Sequence, residues 1–160
     1  KIKPNFICIV PENRKEVTTE GGLNLVRNKL KLKKIISRFK KKKIRTSLFI
    51  NPSVNDIKIA KKLEADCIEI HTGHFANLVK SKKNYSNELK RIKKSSILAN
   101  KLGLEVHAGH GLTVDSVGHI SKIPEIKELN IGHAIISDSI FLGLRGAIDL
   151  MKQKIKESRF

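Results

Sequence analysis

Five short apolar runs recur along the chain, FICIV (6–10), TSLFI (46–50), DCIEI (66–70), GLEVH (103–107) and ELNI (128–131), and each is followed by apolar residues at helical spacing. A chain that alternates in this way folds as βα units with parallel strands, because each helix carries the backbone to the starting end of the sheet. The helices are read from Leu23, Val26, Leu30, Ile35, Ile36 and Phe39; from Ile57, Ala60 and Leu63; from Leu89, Ile92, Ile97 and Leu98; from Val117, Ile120 and Ile123; and from Ile140, Leu144, Ile148 and Met151. Pro52 and Pro124 punctuate the chain between elements. No interdomain linker interrupts the pattern, so residues 1–160 read as one domain with enough apolar material for a core.

Five parallel strands allow two architectures: an open, doubly wound sheet, or the latter part of an eight-stranded βα barrel. Polar residues inside the strands favour the barrel. In CIEIH (67–71), Ile68 and Ile70 point to one face and Cys67, Glu69 and His71 to the other. With helices over the isoleucines, Glu69 is directed into a barrel interior, where a carboxylate is costly unless paired or used in chemistry.

Four of the six histidines, His71, His107, His110 and His133, follow closely on these apolar runs. A βα fold collects its reacting groups at the carboxyl ends of its strands, which makes each of them a site candidate. His110, between Gly109 and Gly111, has room for a substrate to reach its ring, and a pKa near neutrality suits proton transfer; the alternative is a histidine that merely caps the loop. For Glu69 the alternatives are a catalytic carboxylate and a structural partner of His71 or of another barrel group.

The formal charge of +18 raises nucleic acid as a partner. Against it, seven of the 33 basic residues are arginine, aromatic residues make up 4%, and the lysines gather on helical stretches such as 29–43, where they read as a solvated face. The field of such a chain still attracts small phosphorylated substrates. No run approaches the roughly 18 apolar residues of a membrane span and the start resembles no signal peptide, so a soluble, cytoplasmic protein without nucleic-acid or membrane partners is expected. Cys8 and Cys67 lie in apolar runs without CxxC spacing and read as buried thiols of a reducing compartment.

The segments VPENRKEVTTEGGLNL (10–25), CIEIHTGHFAN (67–77), HAGHGLT (107–113) and ELNIGHAIISDSIFLGLRGAI (128–148) resemble the pyridoxine 5'-phosphate synthase family from one end of the chain to the other. The resemblance implies a (βα)8 TIM barrel, of which this chain supplies about the last five units. It also implies condensation of 1-deoxy-D-xylulose 5-phosphate with 3-amino-2-oxopropyl phosphate to pyridoxine 5'-phosphate, phosphate and water, with no cofactor, and assembly as a homo-octamer. Carried over residue by residue, it makes His110 the proton donor and Glu69 the carboxylate that stabilises the transition state. Thr18, Gly111, Gly132 and His133 become the residues that hold the phosphorylated substrates.

Physical chemistry supports several of these roles. Imine formation and ring closure generate cationic character that a fixed carboxylate stabilises. Phosphate binds to exposed backbone and helix starts in the last loops of a βα barrel, which suits Gly111 and Gly132. Gly21 and Gly22 beside Thr18 suggest a loop that closes over substrate, although an ordinary helix entry is the alternative.

His71, His74, His107 and His119 receive no role from the resemblance; His74 is expected in a loop and His119 on a helix surface. HTGH and HAGH are both HxxH, so a metal-dependent barrel hydrolase or aldolase is the rival enzyme reading. Asp138 stands where the resembled family often has a basic residue. The family's early Asn-x-Asp-His segment, its histidine and arginine, and its proton-accepting glutamate find no match here, and the chain begins just before what would be the fourth strand. An inactive fragment that associates through exposed edges, or a basic binding module on the same fold, is therefore the reading outside the enzyme class.

Overall fold

The computed structural model describes residues 3–11 and 21–159. Strands β1 (Phe6–Ile9), β2 (Arg45–Ile50), β3 (Cys67–His71), β4 (Glu105–Gly109) and β5 (Ile126–Asn130) form a single sheet in the order β1-β2-β3-β4-β5, every neighbouring pair parallel. That sequential order lacks the reversal that defines a doubly wound sheet. The helices are α1 (Lys29–Lys41), α2 (Val54–Lys62), α3 (Gly73–Lys80), α4 (Ser86–Lys101), α5 (Val117–Ser121) and α6 (His133–Ser158).

Side-chain alternation divides the sheet into two unlike faces. Leu48, Ile50, Ile68, Ile70, Val106 and Ala108 meet Ile36, Ile57, Ile92 and Ile120 of the helices in one core, with at most 1% exposure each. Burying an isoleucine or leucine in this way contributes about 1.5–3 kcal/mol. The residues between them, Arg45, Ser47 and Phe49 on β2, Cys67, Glu69 and His71 on β3, Glu105 and His107 on β4, turn to the other face. The polarity of that face is what the inward direction of Glu69 required. Cys8 and Cys67 are free thiols; Cys67 is buried, whereas Cys8 is only half-buried.

Several elements depart from the sequence expectation. Helix α1 begins at Lys29, not near Leu23, because Asn24 accepts from the Arg27 N–H at 2.9 Å and its carbonyl accepts from the Asn28 amide at 3.0 Å, a local turn that competes with helix. Val26 and Leu30 are consequently exposed, while Leu23 and Leu25 are buried. Helix α3 occupies the region expected as a loop and carries His74. Strand β4 runs two residues further than expected, so His107 sits within the strand and not at its end. Helix α6 starts at His133 and bends at Gly143, whose φ of 70° and ψ of 156° interrupt the helical geometry.

The lysines of α1 are exposed, in keeping with a solvated face. Among the described residues, no helix is long and apolar enough to cross a membrane.

Candidate active site

Glu69 lies in the middle of β3 and is 8% exposed. Its Oε2 accepts from Asn130 Nδ2 on β5 at 2.9 Å and from the Cys8 thiol on β1 at 3.4 Å. Burial raises the Glu69 pKa above the ordinary carboxylate range, and these two hydrogen bonds work against that rise. Burial first, and the Glu69 carboxylate second, push the Cys8 thiol up to about 12, which keeps it protonated as the donor. Gly109 gives the carboxylate its space: a Cβ there would lie 2.5 Å from Glu69 Oε1 and 2.7 Å from the Asn130 carbonyl oxygen.

His110 follows the last residue of β4 with φ at 79°, in the left-handed region that side chains seldom occupy, and Gly111 continues at 75°. Its half-buried ring lies 4.9 Å from the His71 ring and 6.3 Å, edge-on, from Phe49. Burial, helped by His133, lowers the His110 pKa and favours a neutral imidazole. His71 ends β3, is 8% exposed, and has no hydrogen-bond partner at Nε2 among the described residues. Burial, with His110 and His74 nearby, pushes its pKa down to about 4.

Both Glu69 and His110 border a cleft of about 610 Å³ at the carboxyl ends of the strands. Its opposite wall is the beginning of α6, with Gly132 as the N-cap and His133 as the first helical residue. Among the described residues no side chain caps that terminus, so its first N–H groups are available to an anion, reinforced by the helix dipole. Gly111 completes this rim. The sequence candidates Glu69, His110, Gly111, Gly132 and His133 thus come together around one cavity. Thr18 lies outside the described residues.

Sequence reasoning missed Asn130, Cys8 and Lys80. Asn130 and Cys8 share the inward face that the strand alternation assigns to Glu69, so period-2 reading of ELNI and FICIV would have found them. Lys80, at the end of α3, adds a cation to the cleft, whereas Asp138, in the second turn of α6, adds a carboxylate. At Gly22 the missing Cβ would collide with the backbone of Asn51 and Ile50, so this glycine marks a close approach of its segment to the end of β2.

The HxxH pairs do not gather around one metal position. His71 and His110 share the upper face, His74 is exposed, and His107 is buried lower down, 2.8 Å from Glu105 and 3.6 Å from Glu128. Among the described residues, the donors close enough to share an ion are Cys67, Glu105 and His107, towards the amino ends of β3 and β4. Arg45 already fills that position, with Nη2 at 3.1 Å from Cys67 Sγ and 2.9 Å from Glu105 Oε2. His119 is half-buried against Tyr85, with Nε2 3.3 Å from its hydroxyl, and is not the surface residue that was expected.

The family model described as "Pyridoxal phosphate biosynthesis protein PdxJ" matches residues 1–157. A pyridoxine 5'-phosphate synthase of Pelagibacter ubique (strain HTCC1062) is 61% identical over 153 residues, covering 96% of this chain and 64% of that protein. Proteins of the same name are 48% identical in Coxiella burnetii (strain Dugway 5J108-111), over 97% of this chain and 64% of the relative, and 49% identical in Sulfurihydrogenibium sp. (strain YO3AOP1), over 98% and 63%. The chain therefore spans just under two thirds of the length of these curated relatives. With the match running through all five βα units and every segment that lines the described cleft, the chain belongs to the PdxJ family of pyridoxal phosphate biosynthesis proteins.

Proposed function

We propose that this chain forms the later five βα units of a (βα)8 barrel that acts as a pyridoxine 5'-phosphate synthase. The observation that carries the reading is the cleft itself. A buried carboxylate, a histidine with a lowered pKa and an uncapped helix start face one another across it, in a chain whose relatives bear that enzyme's name. The polar inner face and unreversed strand order suit an arc of a barrel wall, and they support reading the chain as a single domain that contributes that arc.

The substrates are 1-deoxy-D-xylulose 5-phosphate and 3-amino-2-oxopropyl phosphate, and condensation of amine with carbonyl leads to pyridoxine 5'-phosphate, phosphate and water. The N–H groups at the start of α6, with Gly111, Gly132 and His133, hold a substrate phosphate, and Lys80 supplies positive charge; Thr18 is proposed as a further substrate-binding residue. His110 delivers a proton to the oxygen that leaves: the cleft keeps its ring within reach of substrate, and burial, which lowers its pKa, makes the protonated imidazole a stronger acid once it has taken up a proton. Glu69 faces the cationic carbon and nitrogen of the imine stage. Its hydrogen bonds to Asn130 and Cys8 hold the carboxylate in place before charge develops.

Ile136, Ile140, Phe141, Leu142 and Leu144 leave an exposed apolar surface along α6. Burial of that surface supports self-association, with the family's homo-octamer as the proposed assembly.

The test is direct. The complete protein, incubated with both substrates, produces pyridoxine 5'-phosphate with one inorganic phosphate released per product, read by mass spectrometry and phosphate assay. Absence of product from folded, complete protein would overturn the reading.

A further inference from the structure

We propose that Thr72 is a positioning residue for His110, acting through the two peptide planes that flank it. The backbone dihedrals at the His110 Cα are set by the Gly109–His110 and His110–Gly111 peptide planes. The carbonyl oxygens of those planes both lie 2.7 Å from Thr72 Oγ1. One buried hydroxyl, sharing a single proton between two acceptors, therefore restrains φ and ψ of His110 together. The Thr72 N–H adds a third bond, to the Gly109 carbonyl at 2.8 Å.

Two features show that this hydroxyl is diverted from its usual task. Thr72 is the N-cap of α3, where a threonine ordinarily accepts from the first helical N–H groups, yet its side chain makes no capping bond. It is also fully buried, so water does not compete for the bonds it makes instead. What the hydroxyl holds is the left-handed His110, a strained position that persists only when its surroundings enforce it.

The neighbours of Thr72 complete the seat. His71 packs against the His110 ring at 4.9 Å. A Cβ at Gly73 would lie 2.8 Å from both His110 Cδ2 and His71 Nε2, so only glycine leaves the ring its place. The consecutive residues His71, Thr72 and Gly73 thus support the ring face, fix its backbone and clear its space. Proton transfer depends steeply on placement, and a displacement of about 1 Å costs about 100-fold in rate.

The inference rests on the proposed role of His110 as proton donor, and its test separates the two. In the complete protein, Thr72→Val removes the hydroxyl at nearly constant volume, Thr72→Ala removes it with a small void, and Thr72→Ser retains it. Thr72→Val is expected to lower kcat by about 10- to 100-fold with KM for both substrates within about twofold. Thr72→Ser restores most of the rate, and Thr72→Val adds no further loss in a His110→Ala background. Independently of turnover, the His110 Cε1–H resonance of histidine-labelled protein moves in Thr72→Val and Thr72→Ala but stays in Thr72→Ser.

An unmoved resonance in both hydroxyl-free variants, equal loss of rate in Thr72→Ser, or a Thr72→Val loss that persists without His110 would overturn the inference. A wild-type protein with no synthase turnover but with the hydroxyl-dependent resonance shift would remove the functional reading and leave the positioning role standing.

Discussion

Acid should destabilise this protein through His71 before it protonates most carboxylates. The side chain is 8% exposed, packs edge-on against Phe49 at 5.3 Å and against His110 at 4.9 Å, and has no partner at Nε2 among the described residues. Burial, with His110 and His74 as the nearby basic groups, lowers its pKa from the ordinary 6.5 to about 4. Between those two values the unfolded chain binds a proton that the folded chain refuses, so stability is complete above pH 6.5 and falls as the pH drops towards 4. At about 1.4 kcal/mol per pH unit, the His71 share of that loss is on the order of 3 kcal/mol. His110, whose pKa is also lowered, contributes in the same direction, whereas the raised pKa of Glu69 makes the folded state the better proton binder and opposes it. Urea unfolding at a series of pH values, with wild type compared with His71→Asn, isolates the His71 part. Wild type should lose about 2–3 kcal/mol more than the variant between pH 6.5 and 4. Parallel stability curves would refute the argument that this imidazole is buried without a partner.

Three further perturbations probe the cleft. Glu69→Gln keeps the shape and removes the charge; turnover should fall by about 100- to 1000-fold while stability changes by less than about 1 kcal/mol, and undiminished turnover would remove the carboxylate from the chemistry. Gly109→Ala drives a methyl group against the Glu69 carboxylate and the Asn130 carbonyl; a loss of about 1–3 kcal/mol in urea unfolding is expected, and a neutral result would contradict the close approach. Lys80→Ala should raise KM for the phosphorylated substrates several-fold and flatten the dependence of KM on salt, whereas a change confined to kcat would place Lys80 elsewhere in the reaction.

The outward isoleucines and inward polar residues of CIEIH made the position of Glu69 readable, since strand periodicity leaves no other face for it. His110 was readable for a related reason, as a histidine between two glycines where a strand ends. Helix α3 was not: it is eight residues long, begins at a glycine one residue beyond β3, and hides its apolar residues Phe75 and Ala76 in a segment dense with turn formers. The place of His107 turned on where β4 stops: alanine and glycine are poor strand formers, and it is pairing with Ile70 and His71 of β3 that carries the strand through Ala108 and Gly109. The close approach of Gly22 to β2 and the grip of Thr72 on the end of β4 arise from segments distant in sequence, and no local pattern encodes them.

The central claim is that His110 supplies a proton to substrate held at the start of α6. The most direct measurement compares the complete wild-type protein with His110→Ala, reading kcat for formation of pyridoxine 5'-phosphate beside the Kd of each phosphorylated substrate. A fall in kcat of about 100- to 10,000-fold with nearly unchanged Kd is the predicted result. Wild-type turnover in the variant, or a loss confined to Kd, would contradict it.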